Sequence, residues 1–224
     1  MLKFSTIAKL AATSLVTVLF GMSANAADRI SDFSLTDHEG RFFQLSRHAN
    51  QDAVVLLVYD AESRDARRAI SDLQDLEEKF AEQNVEFIAI NSSGSTDKIA
   101  MREEAADEDI TVRILMDDTQ LVAEELGLSR VAEVAILDPT SKEVVYRGAL
   151  NKSSAEGSRS ERNAGSYVEE ALNAILADQE VSANLVASKG DVITFAAKAA
   201  MTNTVSYAND VAPILEQRCV TCHV

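Results

Sequence analysis

Residues Ala53-Val-Val-Leu-Leu-Val-Tyr59 form an apolar run with no polar face. A strand lying on a sheet surface alternates apolar and polar side chains, so an unbroken run must be covered on both sides. That demands a central strand in a sheet with helices packed on both faces. Val85 to Asn91 has the same character. Between them, from Asp65 to Gln83, Ile70, Leu73, Leu76 and Phe80 recur at helical spacing with charges elsewhere. Further on, Thr96 to Asp107 reads as a charged helix and Thr111 to Met116 as a short strand. Thr119 to Leu126 reads as a short helix ended by Gly127. Val134 to Asp138 and Glu143 to Arg147 read as strands joined by the turn Pro139-Thr-Ser-Lys142. Tyr167 to Ala177 is an amphipathic helix through Val168, Leu172, Ile175 and Leu176. At the N-terminal side, Phe33 to Leu35 and Arg41 to Leu45 flank a turn at His38-Glu39-Gly40, the pattern of a hairpin. The alternating first half implies right-handed parallel crossovers, and the hairpins add antiparallel strands. The expected class is α/β, a central mixed sheet flanked by helices. The chain shows no internal repeat and no low-complexity tract.

Stability has to come from that core. The 224 residues contain two cysteines, Cys219 and Cys222, so the only disulfide available is a local one between them. A composition of 46% hydrophobic residues supplies a core, and two prolines and eight glycines argue against a long disordered chain. Lys3 and Lys9 form a basic leader, Leu10 to Met22 is a short uncharged apolar stretch, and Ala24-Asn25-Ala26 is an A-x-A cleavage signal. The reading is a signal peptide over 1–26, a mature start at Ala27, export to the periplasm and no stable membrane span in the mature chain. The formal charge is −15, and loss of Lys3 and Lys9 makes the mature chain more acidic still. Such a surface repels phosphate backbones and anionic lipid, which excludes nucleic acid as a natural partner. It is compatible with a basic redox partner protein, and solubility alone also accounts for it.

Both thiols lie in Cys219-Val-Thr-Cys222-His223, which reads C-x-x-C-H. That spacing is the attachment site of a c-type haem, with thioethers to Cys219 and Cys222 and His223 as axial ligand to the iron. A C-x-x-C can also be a dithiol or half a zinc site. Zinc needs about four ligands, and the only other histidines are His38 and His48, far upstream. The run Tyr207-Ala-Asn-Asp-Val-Ala-Pro-Ile-Leu-Glu-Gln-Arg-Cys219 resembles the first helix of a small bacterial cytochrome c. The expected cofactor is one haem c.

Ile30-Ser-Asp-Phe-Ser-Leu-Thr-Asp-His-Glu-Gly-Arg-Phe-Phe-Gln-Leu45 resembles the opening of redoxins, thioredoxin-fold proteins of the AhpC/TSA type. Val54-Val-Leu-Leu-Val-Tyr59 resembles the strand leading into their active site. Glu124-Glu-Leu-Gly-Leu-Ser-Arg-Val-Ala-Glu-Val-Ala-Ile-Leu-Asp138 resembles the stretch around the family's cis-proline. The resemblance covers roughly 30–177 and implies a thioredoxin-like fold. It also implies a thiol where the first buried strand meets the next helix, and here that chemistry is missing. Ser63 and Ala66 occupy the two C-x-x-C positions, and a serine hydroxyl forms neither sulfenic acid nor disulfide. Ala132 falls near the cis-proline position, and alanine strongly disfavours a cis bond.

No catalytic residue is therefore assigned. Ser63 reads as a helix N-cap, with Glu62 and Asp65 complementing the helix N-terminus. Arg64, Arg67 and Arg68 read as a solvated helix face, and His38 and His48 as loop residues. The expected organisation is a redoxin domain over 27–178, a linker or packed extension over 179–204, and the start of a cytochrome c domain over 205–224. A cytochrome c fold requires further helices and a distal ligand beyond Val224, so the reading is an N-terminal part of a longer protein. The expected role is periplasmic electron transfer with the redoxin domain as docking or structural module. The alternatives are an oxidoreductase that uses the C-terminal thiols, or a non-catalytic binding module.

Overall fold

The computed structural model describes residues 29–94, 97–159, 165–196, 206–207 and 211–218. The signal-peptide reading, Cys219, Cys222 and His223 lie outside them. The strands are β1 (Ser34–Asp37), β2 (Phe42–Gln44), β3 (Ala53–Val58), β4 (Val85–Asn91), β5 (Arg113–Met116), β6 (Glu133–Asp138), β7 (Glu143–Ala149) and β8 (Leu185–Val186). The helices are α1 (Arg64–Lys79), α2 (Lys98–Asp107), α3 (Leu121–Glu125), α4 (Tyr167–Leu176) and α5 (Ala212–Arg218). Leu45–His48 forms a 3-10 turn.

All eight strands form one sheet in the order β2-β1-β5-β4-β3-β6-β7-β8. β3, β4 and β5 are parallel, with Val55 opposite Phe87 and Ala89 opposite Ile114. β6 pairs antiparallel to β3, and β7 antiparallel to β6. The mixed α/β sheet expected from the apolar runs is present, and β3 is buried along its whole length. Its position explains its composition: it has neighbours on both edges and no face to solvent.

α1 turns Ala66, Ala69, Ile70, Leu73 and Leu76 inward and packs on β3 and β4. Full burial of a side chain such as Leu73 contributes roughly 1.5–3 kcal/mol. The helix stops at Lys79, short of the expected Gln83, because the backbone changes at Phe80 and the following residues form turns. α4 closes the domain against β7.

Residues 179–196, which follow α4, pack on the domain. β8 adds parallel to β7, Val192 bridges to Arg130, and Ile193 is buried. The β7–β8 approach depends on Gly148: its φ is +140°, and a Cβ there would stand 1.8 Å from the Val186 carbonyl oxygen.

Candidate functional site

The C-terminal end of β3 delivers the chain to the N-terminus of α1. Ser63 caps the helix. Its Oγ accepts from the Ala66 N–H at 3.3 Å, and its own N–H donates to the Asp60 carbonyl at 3.0 Å. Ala66 is fully buried. The capping role read from the sequence is what the structure shows, and among the described residues no basic side chain is in hydrogen-bond contact with Ser63 to activate it. Of the three arginines, Arg64 is exposed. Arg68 pairs with Asp65 at 3.8 Å, and Arg67 donates to the Ala61 carbonyl. Arg67 is thus half-buried and tied to the loop rather than part of a solvated face.

A cavity of ≈ 390 Å³ opens beside Ser63. Tyr59, Asp60, Glu62, Ser92, Ser93 and Gln120 contribute to its wall together with residues 191–194. Tyr59 is buried and its hydroxyl donates to Glu104 at 3.1 Å. Burial and the Glu104 carboxylate both push the Tyr59 phenol up, so it stays protonated. Asp117, which does not itself line the cavity, fixes the lining residue Ser92. Its carboxylate accepts from the Ser92 hydroxyl at 3.0 Å and from the Ala123 N–H at 3.0 Å. Burial nonetheless pushes the Asp117 carboxyl up, since desolvation outweighs those bonds. Gln120, also buried, donates to Ser92 O at 2.7 Å and to Thr194 O at 2.9 Å, joining two parts of the cavity wall. Neither Asp117 nor Gln120 was singled out from the sequence. Their polarity gives no sign of burial, and Ser92, just after β4, and Thr194, on the extension, are partners far away in the chain.

The histidines have structural duties. His38 is buried, and its Nδ1 accepts from the Ile114 N–H at 3.3 Å. His48 lies in the 3-10 turn rather than a loop, stacked on Phe43 with ring centroids 4.6 Å apart. Among the described residues no group of three or more His, Cys, Asp or Glu side chains is arranged to hold a metal ion. Nor is any described helix long and apolar enough to cross a membrane. Ala132, near the expected cis-proline position, takes φ +61° and donates its N–H to Val58 O at 2.9 Å. The described peptides are all trans. The helix expected before the haem motif is present as α5, with Ile214 and Leu215 exposed on it.

A buried ion cluster lies at the other end of the sheet. Asp37 is fully buried on β1 and accepts from Arg41 Nε at 2.8 Å and Arg113 Nε at 3.1 Å. Desolvation alone would raise its pKa, but the hydrogen bonds from Arg41 and Arg113 hold the carboxyl below the usual range.

The backbone is similar to solved structures of low identity, which speak to the fold. A hypothetical protein from Sinorhizobium meliloti 1021 matches at TM-score 0.65 and 20% identity, over 75% of this chain and 92% of that one. An uncharacterized conserved protein from Geobacillus kaustophilus matches at 0.64 and 21%, over 75% and 90%. The peroxidoxin BcpB from Mycobacterium tuberculosis matches at 0.53 and 22%, over 67% and 96%. No curated protein matches the chain. Residues 26–149 match the AhpC/TSA family, over β1 to β7 and α1 to α3 of the thioredoxin-like fold around Ser63. On that match and this fold, the chain belongs to the AhpC/TSA family.

Proposed function

We propose that this is an exported electron-transfer protein. A c-type haem is attached through Cys219 and Cys222 with His223 as axial ligand, and the redoxin domain is a thiol-free docking and structural module. One observation carries the reading. The only two thiols in the chain stand immediately before a histidine in C-x-x-C-H order, whereas the β3–α1 junction of this redox fold holds Ser63 and Ala66. Haem supplies a one-electron couple when bound. The chain's own contribution is two thiols for covalent attachment and one imidazole for the iron. α5 directly precedes them and starts the segment that holds them. The leader sequence supports export, which is where haem is joined to such motifs. The acidic surface suits a basic redox partner.

The test is intact mass and visible spectroscopy of the chain expressed in a periplasm with haem-attachment machinery. Covalent haem with a reducible Soret band, lost in Cys219→Ser and Cys222→Ser, is the expected result. A colourless product whose two cysteines are free or paired with each other would overturn the reading.

A further inference from the structure

A pocket of ≈ 70 Å³ lies between the first turns of α1, the turn at 151–154 and residues 188–190. Residues 187–190 are firmly placed there. The Glu156 N–H donates to Ala187 O at 2.8 Å and the Lys189 N–H to Ser154 O at 3.1 Å, on either side of the antiparallel Ala155–Ser188 pair. Ser188 lines the pocket at 2% exposure, and its Oγ is the one buried side-chain polar atom without a hydrogen-bond partner among the described residues. Holding a hydroxyl away from water without a partner opposes folding, so an occupant that completes its bonding is stabilising.

The other hydroxyls of the wall have already spent their hydrogens. Ser153 Oγ donates to Asn151 Oδ1 at 2.7 Å, and Ser154 Oγ to Asn151 O at 3.0 Å. Donors remain on Ser188 and on the two cations of the wall, Arg68 and Lys189. Arg68 stands 3.8 Å from Asp65, too far for a hydrogen bond, so its guanidinium is open. Lys189 Nζ uses one of its hydrogens on Ser153 O and keeps the others. The wall also holds one fixed acceptor. Asp72 Oδ2 accepts from Asn151 Nδ2 at 2.8 Å, and Asn151 is itself held by the N–H groups of Ser153 and Ser154 at 3.0 and 2.9 Å. Asp72 Oδ1 has no hydrogen-bond partner among the described residues.

A ligand suited to this wall accepts from two cations and a buried hydroxyl, and donates to a carboxylate. A small oxyanion that keeps a hydrogen at neutral pH does both. One that has lost every proton only accepts, and it meets Asp72 as like charge against like. Phosphate is of the first kind and sulfate of the second. We propose that this pocket is a binding site for hydrogen phosphate. Arg68 and Lys189 supply the charge, Ser188 Oγ the buried donor, and Asp72 the acceptor that selects for the hydrogen. The volume holds an ion of a few heavy atoms and not a nucleotide. The site joins α1 to residues 188–190 and uses neither Ser63 nor Cys219, so it stands apart from the haem reading. At a formal charge of −15 the chain repels anions in general, and saturable phosphate binding therefore reports a built site.

The probe is sodium phosphate, titrated at pH 7 and fixed ionic strength into the full-length chain, with the amide resonances of Ser154, Ser188 and Lys189 read by NMR. Saturable shifts at these amides are expected, with sodium sulfate binding at least tenfold more weakly. Ser188→Ala removes a hydroxyl that has no partner in the fold and should weaken phosphate at least fivefold. Arg68→Gln, on a side chain that is 67% exposed, should do the same without disturbing the core. Asp72→Asn keeps an oxygen for Asn151 and turns the other position into a donor, so sulfate should then bind as well as phosphate. Glycerol phosphate separates the free ion from a phosphoryl group carried on a larger molecule. Its second ionisation lies near ~6, so at pH 7 it has mostly lost its hydrogen and is expected to bind like sulfate. Absence of saturable shifts, equal affinity of the parent for phosphate and sulfate, or unchanged binding by both Ser188→Ala and Arg68→Gln would overturn the proposal. Binding of glycerol phosphate as tight as that of phosphate would overturn the selection of the free ion.

Discussion

Removing the Asp37 carboxylate should unlatch the N-terminal hairpin from the sheet. β1 joins β5 through only two residue pairs, Thr36–Met116 and Asp37–Leu115, so the backbone ladder at this seam is short. The buried carboxylate reinforces it by accepting four bonds: from the N–H groups of Glu39 and Arg41 at 3.1 and 2.8 Å, and from the guanidinium groups of Arg41 and Arg113 at 2.8 and 3.1 Å. In Asp37→Ala the two guanidinium groups fare differently. The Arg41 side chain is 56% exposed and also pairs with Glu39, so water replaces much of what it loses. The Arg113 side chain is 24% exposed and is left partly desolvated without its carboxylate. Breaking a fully buried pair costs roughly 3–5 kcal/mol. Rehydration of Arg41 places this case at the lower end, about 3 kcal/mol. With a urea m-value of about 2 kcal/mol/M, the midpoint falls by roughly 1.5 M. The pH dependence has a definite sign. Asp37 has its pKa lowered by folding, so its contribution is present above the unfolded carboxylate value near ~3.9 and is lost as pH falls through the folded value. In urea titrations of both proteins from pH 7 to pH 3 the gap should therefore narrow toward the acid end. A loss below about 1 kcal/mol at pH 7, or a gap that does not narrow with acid, would refute the reasoning.

Ser63→Ala should cost about 1 kcal/mol through loss of the α1 cap and leave any haem spectrum unchanged, since Ser63 is a cap and not a reacting group; a changed spectrum would contradict that role. Gly148→Ala should release β8, because the added Cβ meets Val186 O, and the Arg147 amide that donates to Asn184 O at 2.9 Å should exchange faster by NMR. Asp117 has its pKa raised by burial, so its contribution is fully present below the unfolded value and is lost as pH rises through the folded one. Asp117→Asn should accordingly compare better with the parent at pH 7 than at pH 3 in urea unfolding, and the opposite trend would reject the assignment. In the haem-loaded protein, His223→Ala should keep the covalent mass increment but alter the Soret band, and an unaltered band would exclude His223 as the axial ligand.

The main elements were legible because they rest on local rules. The runs at β3 and β4 have no polar face, and α1 repeats its apolar positions at helical spacing. Ser63 sits where a cap belongs, whereas the helix read from Thr96 starts at Lys98 behind Asp97, which accepts from the N–H groups of Ile99 and Ala100. The absence of a thiol at the β3–α1 junction, and the gathering of both thiols before His223, are likewise facts of the chain itself.

What surrounds the junction was decided in three dimensions. Nothing near Asp37 in the sequence indicates that it is buried, because one of its partners, Arg113, arrives on a strand 76 residues later. His38 reads as a turn residue until β5 brings Ile114 against it. Gln120 joins two parts of the cavity wall only because Ser92, just after β4, and Thr194 of the extension both present a carbonyl to it. The extension itself, a mixed stretch with no strong periodicity, takes its conformation from edges that other segments provide: β7 for Leu185 and Val186, the 129–131 loop for Asp191 to Ile193. Periodicity and capping depend on neighbours a few residues apart and can be read along the chain. Register at a sheet edge and the burial of a lone polar group depend on which distant segment arrives, and only the folded structure determines that.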